Sequence, residues 1–233
     1  MIEKFKSFVK RSPFLLKTAR NFRDGNLFKK SYHTSLKGKN NSLKIDTAAR
    51  LTNCKINIIG NSNLITIEEG SILNNVLIFI RGSHNKIFIS KEVKFNRAGE
   101  LWIEDKNCEL HIGKNSTFED THIAVTETNS KVIIGVDCML ANDIDIRTGD
   151  SHSIIDTQLN KRINHAKDVT IADHVWVGAH TSLLKGSSLA SNSIVATRSV
   201  VTKSFDEEGV LVAGIPAKII KHNITWDRER IPR

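Results

Sequence analysis

The 233-residue chain carries 34 lysines and arginines against 25 acidic side chains, a net charge of +9, with 39% hydrophobic and only 6% aromatic residues. A mean hydropathy of −0.23 with a quarter of the residues charged excludes a membrane-spanning bundle and a disordered tail, and this length can bury a real core. Cys54, Cys108 and Cys138 stand at wide spacings with no CxxC or Cys/His ligand pattern, which argues against a disulfide scaffold or a metal site and fits a reducing compartment.

Residues 1–30 hold nine lysines and arginines against Glu3 and Asp24, and five of the ten phenylalanines. Ile2, Phe5, Phe8, Leu15, Ala19 and Phe22 recur at helical spacing, and Ser12-Pro13 divides the run into two helices. Its longest apolar run, Phe14-Leu15-Leu16, is far too short for a signal or a spanning helix, so a cytoplasmic location is expected. Interleaved Phe and Lys suit peripheral contact with an anionic inner-membrane face or attraction of an acidic glycan; the alternative is a helix packed on a neighbouring subunit. The other residues are nearly neutral and carry no reader motif, so nucleic acid is not an expected partner.

From residue 33 the chain becomes periodic. Apolar pairs at Leu43/Ile45, Ile65/Ile67, Ile87/Ile89, Leu110/Ile112 and Val132/Ile134 are spaced by 22 or 23 residues, each after a polar turn containing Asn. Asn tolerates the left-handed backbone of tight corners. Ile134, Leu140 and Ile146 begin a six-residue frame, and Ile171, Val177, Leu183, Leu189, Val195 and Val201 continue it. The second positions are mostly small (Ala172, Gly178, Ala190, Ala196) and the fifth small or β-branched. This period fits neither a helix nor a free strand but a parallel β-helix, whose three short strands per coil enclose an interior expected to be too narrow for large rings. Residues 149–168 break the period, and such an excursion from a solenoid is where function concentrates. The expected division is a helical segment over 1–32, a β-helix over 33–204 with an active-site loop at 149–168, and an extension over 205–233 folding as a short strand and a helix.

The segments IIGVDCMLANDIDIRTGDSH (133–152), KRINHAKDVTIADHVWVG (161–178), LLKGSSLASNSIVATRSVVTKSF (183–205) and AGIPAKIIKHNITW (213–226) resemble the hexapeptide-repeat acyltransferases, and most nearly the bacterial capsule and polysialic acid O-acetyltransferases. The resemblance implies left-handed coiling, a homotrimer with active sites between subunits, acetyl-CoA as donor and a polysaccharide or sugar acceptor.

Acetyl transfer to a sugar hydroxyl needs a base, and His152 in the interrupting loop matches the family's catalytic histidine. Asp150, Asp143 or Asp145 would orient its ring. Trp176 matches the tryptophan that shapes the acceptor pocket, which Asn142, His165, His174 and His180 would help to line. By the same analogy the Ala179 amide would meet the oxyanion. Gly178, Ala196 and Thr197 would contact pantetheine, Lys203, Lys218 and Lys221 the phosphates, and Pro216 the adenine. Thr197 stands in ATRSV, a departure from the family's usual form. The alternatives are an N-acetyltransferase acting on a nucleotide-linked amino sugar and a non-enzymatic β-helix scaffold.

Overall fold

The computed structural model describes residues 31–232, so the helices expected over 1–30 lie outside the described residues. Among the described residues there are 24 strands and no helix. They stack in three columns that form the faces of a triangular prism. Face 1 starts at Ser31–Lys37 and includes Val76–Ser83, Ile144–Arg147, Ser182–Leu183 and Val200–Val201. Face 2 runs from Ser42–Ile45 through Leu64–Ile67, Lys86–Ile89, Glu109–Ile112, Lys131–Ile134, Val169–Ile171 and Ser188–Leu189 to Ser204–Phe205. Face 3 includes Ile72–Asn74, Met139–Leu140, Trp176–Val177, Ile194–Val195 and Leu211–Gly214. The long strands Arg50–Ile59, Lys94–Lys106 and Thr117–Val125 bend from face 3 into face 1.

The pairing register reproduces the sequence period. Leu43, Ile65, Ile87, Leu110 and Val132 stack in one column on face 2. Val132 then pairs with Val169, 37 residues on, because the 149–168 excursion sits in that coil, and the next interval, Ile171 to Leu189, is 18. The first-position residues Ile171, Val177, Leu183, Leu189, Val195 and Val201 are all at most 1% exposed, each contributing about 1.5–3 kcal/mol by burial. The fifth-position residues Val175, Thr181, Ser187, Ser193 and Ser199 also point inward at the corners. The second positions are small because the next coil approaches there: a Cβ on Gly178 would lie 2.7 Å from the Thr197 nitrogen.

The expectation of an interior closed to rings fails upstream. Phe95 and Phe118 are fully buried and stacked, with centroids 4.4 Å apart and planes 7° apart. The physical reason is coil length: the 22- and 23-residue coils carry long face 1 strands and enclose a wider section than the 18-residue coils. Gly99 completes the space, since a Cβ there would lie 2.6 Å from the Phe95 ring.

The Asn-rich turns do two jobs. Asn40, Ser62, His84, Asn107 and Asn129 take the left-handed conformation at the edge between faces 1 and 2. The residues that follow the first three, Asn41, Asn63 and Asn85, turn inward as a ladder. Asn41 Oδ1 accepts from the Asn63 amide (3.0 Å), Asn63 Oδ1 from the Asn85 amide (3.0 Å), and Asn85 Oδ1 from the Cys108 amide (2.8 Å). Each rung satisfies a buried amide that would otherwise cost about 1–3 kcal/mol. Cys108 ends the ladder, its thiol pushed up to about 11 by burial.

At the other end the solenoid runs past residue 204. Phe205 pairs with Leu189, and Leu211 and Val212 pair with Ile194 and Val195. The expected terminal helix is absent: after Gly214 the chain turns at Ile215-Pro216, and Ala217–Lys221 returns antiparallel. Pro216 lacks an amide for a helix, and the β-branched Ile219-Ile220 pair suits a strand. The chain then runs back along the edge between faces 2 and 3.

Candidate active site

The 149–168 loop leaves face 1 after Arg147 and re-enters face 2 at Val169, so it stands on the edge between those faces. Lys167 donates to the Thr148 carbonyl (2.9 Å) at the stem, and Ile155–Asp156 pairs antiparallel with Lys161–Arg162. Asn164, 7% exposed, is the hub. Its Nδ2 donates to Asp150 Oδ2 (2.8 Å) and to the His152 carbonyl (2.7 Å), and its Oδ1 accepts from the Ile154 amide (2.7 Å). Arg162 Nε reaches the same Oδ1 (3.1 Å), while its guanidinium grips both oxygens of Glu127 from the preceding coil. Lys185, from the following coil, donates to Asp150 and to the Asn164 carbonyl (3.0 Å). The loop is therefore tied to coils on either side.

The Lys185 ammonium, with help from Asn164, holds the Asp150 carboxyl below the usual carboxylate range. Burial pushes Glu127 upward, but its bonds from Arg162 and the Ala166 amide outweigh that and keep it low. The backbone of His152 is fixed from both sides, its amide on the Asp150 carbonyl (2.7 Å) and its carbonyl on Asn164. The ring itself is exposed.

Trp176 lies on face 3, which in a triangular section is opposite the edge bearing His152. Its ring points outward and is 38% exposed. Beside it, at 6.3 Å between centroids, is Trp226, only 7% exposed and stacked on His174 at 4.2 Å and 7°. Trp226 Nε1 donates to the His174 carbonyl (2.8 Å), and His174 bonds Asp137 Oδ2 (2.8 Å) and the Trp226 carbonyl (3.1 Å) through its two ring nitrogens. The Arg228 guanidinium lies over the Trp226 ring (5.5 Å) and donates to Asp137 Oδ1 (2.9 Å) and Thr117 Oγ1 (2.9 Å).

No family model matches the chain. The polysialic acid O-acetyltransferase of Neisseria meningitidis is 35% identical over 195 residues, 84% of this chain and 89% of that protein. The chain belongs to the polysialic acid O-acetyltransferase family. The crystal structure of the polysialic acid O-acetyltransferase OatWY superposes with a TM-score of 0.80 at 34% identity, covering 85% of this chain and 93% of that one. That of the polysialic acid-specific acetyltransferase NeuO gives 0.77 at 33%, covering 86% and 91%. The protein is thus an acetyltransferase built on a left-handed β-helix.

In this acetyltransferase most of the expected site residues fall into three groups. Asp150, His152, His165 and Lys203 lie along the edge between faces 1 and 2, and the Lys203 ammonium rests over the Phe205 ring (5.4 Å). Asn142, Trp176, Gly178, Ala179, Ala196 and Thr197 lie on face 3 or at its edge with face 1. The terminal hairpin carries Pro216, Lys218 and Lys221, all exposed. None of the three carboxylates expected to orient His152 bonds its ring. Asp150 is taken by Lys185 and Asn164. Asp143 is taken by His180 (2.6 Å), and Asp145 by His122 (2.9 Å) and Arg147 (2.6 Å). Asn164, Lys185, Arg162 and Glu127 escaped the sequence reading. Partners 35 residues apart across an irregular loop leave no spacing signal.

Lys185→Met is expected to loosen the loop but not the coils: amide-exchange protection should fall over residues 150–166 and stay unchanged over Val169–Leu189. The depressed Asp150 value gives the pH dependence its sign. Its stabilisation is complete above the ordinary aspartate value of about 3.9 and is lost as pH falls through the lower folded value. Loop protection in the wild type should therefore be level from neutral pH to about 5 and decline only below about 4. A decline centred near neutrality would remove Asp150 from the latch.

Proposed function

We propose that the protein transfers acetyl from acetyl-CoA to a sugar hydroxyl of an acidic bacterial capsular polysaccharide, a sialic acid polymer being the leading acceptor, as a homotrimer with sites between copies. The observation that carries this reading is the separation of His152 and Trp176 on opposite sides of one solenoid, within a family of polysialic acid O-acetyltransferases. The edge with the His152 loop and face 3 with Trp176 become one cleft only when two copies stand side by side. Exposed apolar side chains on the loop, Ile154 (56%), Leu159 (65%) and Ile163 (59%), supply material for such a contact. The basic aromatic segment 1–30 would hold the enzyme at the cytoplasmic membrane face where polysaccharide is assembled.

In this reading His152 takes the proton of the acceptor hydroxyl as its oxygen attacks the thioester carbonyl. The new oxyanion meets the Ala179 amide, which bonds no acceptor among the described residues. Collapse releases the CoA thiolate, and the proton held by His152 returns to it. Trp176 stacks on the acceptor sugar, and Gly178, Ala196 and Thr197 offer backbone to pantetheine. Lys203 and Lys218 face the phosphates. O-acetylation is favoured over the amino-sugar alternative because the relatives are O-acetyltransferases.

Thiol release and acetyl incorporation with acetyl-CoA and polysialic acid test the activity; incorporation into amino sugars alone would overturn the acceptor. Mixing tests the shared site. Co-assembled His152→Ala and Trp176→Ala chains should gain, above the residual rates of the two alone, about a quarter of wild-type activity, the share of interfaces in a random trimer that keep both residues. No recovery would place the whole site within one chain.

A further inference from the structure

We propose that Trp226 is a positioning residue: the C-terminal strap Ile224–Arg228 fixes the orientation of Trp176 and so sets the affinity for the acceptor. This rests on the reading of Trp176 as an acceptor-stacking ring and adds a residue to which that reading gives no role.

Trp176 sits on a two-residue strand whose column neighbours are Met139 and Ile194. Neither carries a ring that could stack on the indole. Among the described residues, the only aromatic ring recorded beside it is Trp226, tilted by 51°. A side chain that is 38% exposed and hinged on a short strand needs a wall to hold one rotamer, because each freely rotating side chain loses entropy on binding.

Trp226 is built as such a wall. Its indole stacks on the His174 imidazole at 4.2 Å and has the Arg228 guanidinium over its ring at 5.5 Å. Its only polar atom is satisfied by the His174 carbonyl. His174, two residues before Trp176, takes a left-handed corner conformation at φ 55°, so the strap grips the backbone that aims Trp176 as well as the space beside its ring. Asp137 clamps both ends, binding His174 through one oxygen and Arg228 through the other. Burial drives Asp137 upward, yet His174 and Arg228 together hold its carboxyl low. Arg228 further donates to the Cys138 carbonyl (3.2 Å), anchoring the strap one coil upstream of Trp176.

The chain has three tryptophans, and Trp102 is remote, on face 1 against Phe79. The Trp102→Phe/Trp226→Phe protein therefore reports on Trp176 alone, with the aromatic wall kept. Time-resolved anisotropy should show Trp176 restrained in it and visibly freer in Trp102→Phe/Trp226→Ala. In parallel, Trp226→Ala should raise KM for polysialic acid about fivefold, the size that loss of one aromatic contact carries, with KM for acetyl-CoA held; Trp226→Phe should restore most of the difference. Equal Trp176 mobility with Phe and Ala at position 226 would overturn the proposal, as would an unchanged acceptor KM in Trp226→Ala. If the alanine protein does not assemble, Arg228→Gln added to the Trp102→Phe/Trp226→Phe background loosens the strap from its far end; unchanged anisotropy there is equally fatal. Should the wild type fail to acetylate polysialic acid, the acceptor reading falls, while the anisotropy comparison still decides whether the strap restrains Trp176.

Discussion

His152→Ala should lower acetyl transfer by about 10²–10⁴-fold, the range over which a positioned base contributes, and leave thermal stability unchanged. The two halves of this expectation have separate grounds. An alcohol is a poor nucleophile near neutral pH, and His152 alone among the loop residues combines a ring free for substrate with a backbone fixed by Asn164 and the Asp150 carbonyl. Stability should hold because the ring is exposed and makes no hydrogen bond among the described residues. Added imidazole should restore part of the lost rate, since the missing group is a small base. A fully active His152→Ala protein would sink the mechanism. An inactive variant that also melts early would mean that the loop, not the base, had been removed.

Phe118→Ala should cost about 3–5 kcal/mol, the range for removing a buried ring from a packed interior. Phe118 is fully buried and stacked face to face with Phe95 one coil away, so truncation leaves a void that rigid coils above and below cannot collapse into. At fixed protein concentration the melting temperature should fall by about 10 °C. Phe118→Leu, which keeps most of the volume, should cost roughly half as much or less. If alanine is tolerated with a shift of a degree or two, the wide coils are more plastic than their packing implies.

The solenoid was legible because a β-helix writes its period into the chain. Ile171 to Val201 at six-residue steps, and Leu43 to Val132 at 22 or 23, are the same residues that stack in the interior. What the period did not reveal was the width of the coil. A 22-residue unit reads like an 18-residue unit with loosened turns, whereas the extra residues lengthen face 1 and admit Phe95 and Phe118. Of the candidate site, the resemblance picks out His152 and Trp176, but no sequence signal marks the partner of Asp150. Lys185 sits at an ordinary outward hexapeptide position, and nothing local marks it as the cation that closes a loop 35 residues upstream. Adjacent carboxylates look like natural partners for a histidine in sequence, yet nearby cations and other imidazoles claimed all three.

The asparagine ladder bears on how such a molecule changes length over evolution. Asn41, Asn63 and Asn85 pass the same hydrogen bond from coil to coil, so each upstream unit offers its neighbours the same side-chain rung. A gene duplication that copied one 22-residue unit would insert without a mismatch and lengthen the prism by one strand spacing, about 4.8 Å. The loop would ride along unaltered. Downstream of Cys108 the side-chain ladder stops and the coils are individually furnished with Glu127, Lys185 and Asp137, so no unit there is interchangeable. The chain is thus built of like units at one end and of individually furnished coils at the other.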